Sequence, residues 1–260
     1  MIRVIVTGAL GKMGSETVKA IMNTKDIKLI SAVDIGGENG SDIGLCLGLD
    51  EYKAILTDSI HGVIENADCL VDFTNSTNSP HFIKTALKNG VNCVVGTTGI
   101  DKAELDEISD LADKYSKAVL IVPNFSIGAV LMMKFANEAG QYFDNAEIIE
   151  MHHDKKQDAP SGTALMTAYN MTRDKVFTEP ETKKEILEGV RGATFNGIKI
   201  HSVRLPGLVA HQQVMFGGEG EIFTIRHDSM ARTSFMPGVL KAIRKIGYLK
   251  GLNFGLEQVL

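Results

Sequence analysis

The chain opens on a β-branched run, Ile2 to Thr7 (IRVIVT), and Gly8, Gly11 and Gly14 follow before Val18, Ala20, Ile21 and Met22 take up helical spacing. That order predicts strand, tight turn, helix. A second apolar run, KLISAVD, ends at Asp34, and further strands are predicted at 69–73 (CLVDF), 92–95 (NCVV) and 118–122 (AVLIV). Helices fit between the last three, near 78–89 and 101–117. The strands are continuously apolar rather than alternating, the pattern of a parallel sheet covered on both faces. The first ~120 residues therefore predict a doubly wound α/β domain.

After Pro123 the rhythm changes. An apolar helix is predicted from Ser126 (SIGAVLMMKFANEAGQYF), then a strand at 146–153 and a helix from Ser161. Residues 198–204, 208–216 and 221–227 read as strands joined by glycine turns with no helices between them, which predicts a mixed sheet in an α+β second domain. The stretch 176–189 is charged and expected on the surface, whereas Ser234 to Tyr248 returns to helical spacing and is expected to pack back on the first domain. The division predicted is 1–123 with 234–260, and 124–233.

With 260 residues, 44% hydrophobic and 23% charged, the chain can bury a substantial core, which excludes a fibre or a disordered tail. A formal charge of −5 gives no general attraction to nucleic acid or anionic membrane. The three cysteines, Cys46, Cys69 and Cys93, lack metal-ligand spacing, and two of them lie in apolar runs, as expected for thiols in a reducing cytoplasm. No run of ~18 apolar residues is present, and MIRVIVTG reaches its glycine too early for a signal peptide. A cytoplasmic protein is expected.

Gly8-Ala-Leu-Gly11-Lys12-Met13-Gly14 is a variant of the dinucleotide fingerprint. One glycine permits the tight turn, another lets backbone N–H groups approach a pyrophosphate, and the last lets helix and strand pack closely. Asp34 lies 20 residues beyond Gly14, the spacing of a carboxylate that grips a ribose diol. A carboxylate disfavours a 2′-phosphate, and Ile35, Gly36 and Gly37 supply no arginine to receive one. Lys12 can compensate in part, so use of both NADH and NADPH is expected, with a lean to NADH.

The densest polar segment runs from Glu150 to Ala164 (EMHHDKKQDAPSGTA). Adjacent histidines on a strand point to opposite faces, so His152 and His153 are not expected to share a metal, and no metal site is predicted. Ser161 reads as an N-cap, and Ser161-Gly162-Thr163 offers hydroxyls and backbone N–H groups at a positive helix end, a receptor for a carboxylate. With Lys156 and the histidines beside it, such a site can hold a small dianion and donate a proton. Each residue alone has an ordinary structural reading. Together, beside a dinucleotide turn, they point to an active site.

The segment EIIEMHHDKKQDAPSGTAL closely resembles the signature of the 4-hydroxy-tetrahydrodipicolinate reductase (dihydrodipicolinate reductase) family. VTGALGKMG, VDFTNST, VVGTTG, PNFSIGAVL and VRLPGLVAHQQVMFGGEGEIFTIRHDS spread the likeness along nearly the whole chain. The resemblance implies that His152 is the general acid, that Lys156 binds a substrate carboxylate and shares in proton relay, and that His153, Ser161, Gly162 and Thr163 contact substrate. It implies cofactor contacts at Gly8, Gly11, Lys12, Met13, Gly14 and Asp34, at Phe73 and Thr74, at Gly96, Thr97 and Thr98, and at Pro123, Asn124 and Phe125.

The implied reaction is hydride transfer from NAD(P)H to C4 of an unsaturated dicarboxylate ring, with a proton added at the adjacent carbon, on the route to diaminopimelate and lysine. The first domain would then bind dinucleotide and the second would bind substrate and build a homotetramer, with hinge closure assembling the site. Many members carry arginine where this chain has Ile35, and some a basic residue at Asn75, so the departures bear on NADPH preference and not on catalysis. Two other readings stand beside this one. One is another nicotinamide enzyme of amino-acid metabolism, such as an aspartate or semialdehyde dehydrogenase, of which the latter needs a cysteine nucleophile, and none of the three cysteines sits in a suggestive loop. The other, a non-catalytic NAD(P) sensor, predicts loss of a histidine or of Lys156, and neither is missing.

Overall fold

Strands with continuous apolar stretches need cover on both faces, and the first sheet obtains it. Val4, Ile5 and Val6 of β1 (Ile2–Thr7) are fully buried, as are the central residues of β4 (Cys69–Asp72), β5 (Asn92–Val95) and β6 (Ala118–Ile121). These strands join β2 (Ile27–Val33), β3 (Ile55–Thr57) and β12 (Gly251–Phe254) in a seven-stranded sheet of order β12-β6-β5-β4-β1-β2-β3, parallel throughout. The helices are α1 (Lys12–Met22), the short α2 (Ile43–Cys46), α3 (Ser79–Lys88), α4 (Lys102–Lys114) and, from the C-terminal stretch, α7 (Met236–Lys245). The computed structural model describes residues 1–260, which divide into two compact units, Met1–Ile127 with Phe235–Leu260, and Gly128–Ser234.

In the first unit the strand order reverses at the β1–β4 pair, where β2 continues to one side and β5 to the other. A doubly wound sheet binds ligands beyond the carboxyl ends of its strands at such a point. Thr7 and Asp72, the last residues of β1 and β4, are paired there in register. The C-terminal stretch belongs to this unit. Met236 accepts a sulfur contact from the Thr17 hydroxyl at 3.8 Å, Arg244 pairs with Asp26 at 2.7 Å, and β12 adds a strand beside β6.

The second unit holds α5 (Ile127–Gly140, of which Ile127 is assigned to the first unit), β7 (Asn145–His152), α6 (Gly162–Thr172), β8 (Ala193–Phe195), β9 (Ile198–Arg204), β10 (Ala210–Gly218) and β11 (Glu221–Ser229). Its sheet has the order β11-β10-β7-β9-β8, mixed because β7 and β9 run parallel while the other pairs are antiparallel. Ile148, Ile200 and Val214 project from one face into a core with Ala136 of α5 and Ala164, Ala168 and Met171 of α6.

The main strands and helices fall where the apolar pattern predicts them, and the fold class is the expected one. Several ends differ: α4 stops at Lys114 rather than 117 because Ser116 takes a left-handed backbone (φ 53°), and β7 ends at His152, one residue early. Asp34 follows β2 instead of ending it, and the predicted strand at 208–216 runs from 210 to 218. β3, β8, α2 and β12 are short elements that hydrophobic periodicity does not reveal. β12 (GLNF) contains Gly251 and Asn253 and is a strand because the edge of β6 is there to pair with it.

Gly238 shows how closely α7 lies on this unit, since a Cβ there would stand 1.9 Å from the Phe125 carbonyl oxygen. Gly238→Ala is expected to cost about 2 kcal/mol by overpacking, measured as a lower urea midpoint with an unchanged slope.

Candidate active site

The glycine turn of the first unit is built by contact as much as by conformation. Gly8 has φ 71°, and a Cβ there would stand 2.5 Å from the Phe73 carbonyl oxygen; a Cβ on Gly14 would stand 2.0 Å from the Gly8 carbonyl oxygen. Gly11 is the N-cap of α1 and provides no side-chain cap. The first turn of α1, with Lys12 and Met13, is therefore a helix N-terminus without a side-chain oxygen over it, a cradle suited to a phosphate. Asp34 sits against the turn: one carboxylate oxygen accepts the Leu10 N–H at 2.9 Å and the other the Gly36 N–H at 2.9 Å. Two backbone donors thus hold its carboxylate in place, leaving lone pairs for hydroxyls. Ile35, next in sequence, is 89% exposed.

Two of the segments expected from the sequence to meet cofactor, those of Thr74 and Thr97, meet at Asp72, a residue to which the sequence assigned no role. Its carboxylate is fully buried and accepts four hydroxyls: Thr7 (2.6 Å) and Thr74 (2.8 Å) on Oδ1, Ser79 (2.7 Å) and Thr97 (2.7 Å) on Oδ2. A carboxylate has about four lone-pair sites, so this one is saturated. The hydroxyls of Thr74 and Thr97 are therefore turned into the protein. Phe73 and Phe125 pack with ring centroids 5.5 Å apart, and a Cβ on Gly96 would stand 2.3 Å from the Phe73 ring. Asn124 accepts the Ser126 N–H at 2.9 Å, while Pro123 and Thr98 are exposed.

In the second unit the strand end of β7 carries the histidine–lysine segment. His152 Nδ1 lies 2.6 Å from Glu150 Oε2, and Arg204 of β9 closes on both Glu150 oxygens at 2.9 and 2.8 Å. Arg204 also donates to the Asp158 carbonyl at 2.7 Å, and both oxygens of the Asp158 carboxylate hold the Lys156 ammonium, at 2.7 and 2.8 Å. His153 begins the turn, its carbonyl accepting the Lys156 N–H at 3.1 Å.

Ser161 caps α6 as expected, its Oγ accepting the Ala164 N–H at 3.2 Å, but its own N–H is directed to Glu150 Oε1 at 3.2 Å. Its capacity as an anion receptor is thus partly used inside the protein. Gly162 is the exposed member of the loop, with open space where a Cβ would be, and Thr163 is half-buried. His152, Lys156 and the Ser161–Thr163 loop are brought together around one pair, Glu150–Arg204.

Burial drives the Glu150 pKa upward, but hydrogen bonds from His152, Arg204 and Ser202 and the Arg204 charge outweigh it and bring the carboxyl down to about 2. Arg204 is correspondingly raised by its hydrogen bonds to Glu150, and Asp158 is lowered by Lys156. Glu150 stands two residues before His152 and so on the same face of the strand, a signal that period-two reasoning can read. Arg204 carries no such local signal. No group of three or more His, Cys, Asp or Glu side chains is arranged to hold a metal ion, and no helix is long and apolar enough to cross a membrane.

A group whose folded pKa is depressed contributes stability above its unfolded value and loses it on acidification. For Glu150 that window runs from its ordinary 4.5 down to about 2. Between pH 6 and pH 3 the unfolding free energy is expected to fall with about 2 kcal/mol of the drop due to Glu150, read as the difference in pH slope between the wild type and Glu150→Gln in urea titrations.

Both units are matched by known proteins. Residues 2–125 match the family description "Dihydrodipicolinate reductase, N-terminus" and residues 128–260 match "Dihydrodipicolinate reductase, C-terminus". The 4-hydroxy-tetrahydrodipicolinate reductase of Syntrophomonas wolfei is 50% identical over 262 residues (99% of this chain, 98% of that one), and that of Moorella thermoacetica is 48% identical over 262 residues (100% and 98%). A dipicolinate-bound dihydrodipicolinate reductase from Paenisporosarcina sp. TG-14 superposes with a TM-score of 0.89 at 43% identity, covering 100% of both chains. Both halves and the whole length are thus accounted for, and the chain belongs to the dihydrodipicolinate reductase family.

Proposed function

We propose that this chain catalyses the NAD(P)H-dependent reduction of 4-hydroxy-tetrahydrodipicolinate to tetrahydrodipicolinate, in the biosynthesis of diaminopimelate and lysine. The observation that carries the reading is the gathering of His152, Lys156 and the Ser161–Thr163 loop around the buried Glu150–Arg204 pair, in a chain whose relatives are reductases throughout their length. The dinucleotide belongs on the first unit, its pyrophosphate at the uncapped N-terminus of α1 over Gly8, Gly11, Lys12, Met13 and Gly14, and a ribose diol at Asp34. The segments around Phe73 and Thr74, Gly96 to Thr98, and Pro123 to Phe125 face its nicotinamide end. When bound, the cofactor supplies the hydride.

The second unit supplies the substrate seat. Lys156 binds one ring carboxylate, releasing part of its pairing with the exposed Asp158, and Gly162 and Thr163 receive the other at the start of α6, with His153 as a further contact. As the imidazolium, His152 donates its Nε2 proton to the carbon beside the reduced one and is left neutral with its remaining proton on Nδ1, against Glu150. Two of the three cysteines are unsuited to a cysteine-dependent dehydrogenase: burial pushes Cys69 up to about 12 and Cys93 well above its ordinary value, so neither is a nucleophile. These free thiols also suit a reducing cytoplasm.

The cofactor lean is to NADH, since Asp34 is held toward the turn by two N–H groups and Ile35 brings no cation. A homotetramer built on the second sheet is proposed as well. The face opposite its helices carries Ile149, Met151, Gln213 and Met215, all half-buried, and Ile222, which is 77% exposed.

Oxidation of NADH and NADPH, followed by absorbance with ring substrate generated from pyruvate and aspartate semialdehyde by a separate synthase, is expected to show turnover with both and faster turnover with NADH. Pyridine-2,6-dicarboxylate should block it. In the same assay His152→Ala should lower kcat by about 100-fold or more, Lys156→Ala should lower kcat/KM by a similar factor mainly through KM, and Ile35→Arg should shift preference toward NADPH by about tenfold. Binding of nucleotide without consumption would favour a sensor. Light scattering is expected to give four times the chain mass, and a monomer at micromolar concentration would remove the tetramer.

A further inference from the structure

Glu150 uses its two oxygens for two different partners. Oε2 meets Nδ1 of His152 at 2.6 Å, and Oε1 accepts the N–H of Ser161, the residue that caps α6. Arg204 bridges both oxygens from β9 and continues to the carbonyl of Asp158, whose carboxylate holds Lys156. The Glu150 side chain is fully buried, so none of these partners can be replaced by water without rearrangement.

Resting on the reading of His152 as the proton donor, we propose that Glu150 is a positioning residue that sets the proton donor and the carboxylate seat with one group, Arg204 serving as its counter-charge. An ionised carboxylate only accepts hydrogen bonds, so the His152 proton it meets is on Nδ1 and the ring presents Nε2 outward. Turning the ring over would set a C–H against a buried anion and leave Oε2 without its imidazole donor. The Ser161 N–H is tied to the same anion, so the start of α6 is registered against the histidine.

Arg204 of β9 stands opposite His152 in the register and is committed to Glu150, and Lys156 in the following loop is paired with Asp158. β10 brings the uncharged Ala210 and Gln212 opposite His152 and Glu150, and His227 of β11 lies beyond Gln212 in the register. From α6 comes only the neutral cap, Ser161. Glu150 is thus the carboxylate that holds the His152 ring.

The first arm of the test needs no variant: 15N-edited NMR of the wild type should find the His152 imidazole protonated on Nδ1, with that proton shifted downfield by its short hydrogen bond. In the second arm, Glu150→Gln, checked for folding by circular dichroism, should lower kcat by about 100-fold and lose the downfield Nδ1 proton. The KM for the ring substrate should rise severalfold while that for NADH is unchanged. Glu150→Asp, which keeps the carboxylate, should recover part of the rate. A folded Glu150→Gln enzyme with wild-type kcat, or a wild-type His152 protonated on Nε2 alone, overturns the proposal. If the wild type itself does not turn over the ring substrate, the functional reading fails, while the NMR arm still decides the Glu150–His152 arrangement.

Discussion

A carboxylate taken fully out of water must be met by donors, and this requirement organises both units. In the first, Asp72 ends β4 at the reversal of strand order and draws in hydroxyls from β1, from the loop after β4, from the start of α3 and from the loop after β5. In the second, Glu150 near the end of β7 draws in a histidine, an arginine and a helix cap. Desolvating an anion costs several kcal/mol, and only complete hydrogen bonding offsets it. Each buried carboxylate therefore fixes the loops that feed it donors, and those loops carry the residues assigned to cofactor and substrate.

The two carboxylates meet the requirement differently. Asp72 is answered by neutral hydroxyls alone, an arrangement that holds backbone segments and brings in no opposing charge. Glu150 is answered by a guanidinium in bidentate geometry and by an imidazole, so its field reaches a titratable group. A scaffold for binding a dinucleotide needs fixed loops. A site that delivers a proton needs a donor whose tautomer and orientation are set, and an adjacent carboxylate does both.

The glycine turn follows the same economy of space. Gly8 and Gly14 are required by backbone oxygens that a Cβ would strike, and Asp34 braces the turn through Leu10 before any ribose is present. The acidic residue therefore has a structural part in the turn besides the recognition its spacing implies. The next side chain outward, Ile35, is exposed.

Periodicity and motif spacing were enough to read the parallel sheet, the change to a mixed sheet, the glycine turn and the segment from His152 to Thr163, because each is written in residues close together along the chain. Glu150 was within reach of the same reasoning, two positions from His152 on one strand face. Arg204, 54 residues from Glu150, was not. Nor were the hydroxyls of Thr7 and Thr97, 65 and 25 residues from Asp72, or the strand status of β12, which depends on an open edge at β6. Local order along the chain determines which elements form and which side chains share a face. Which buried charges are answered, by which donors and at what distance, is decided only when distant strands are brought into register, since desolvation and hydrogen bonding act through space and not along the sequence.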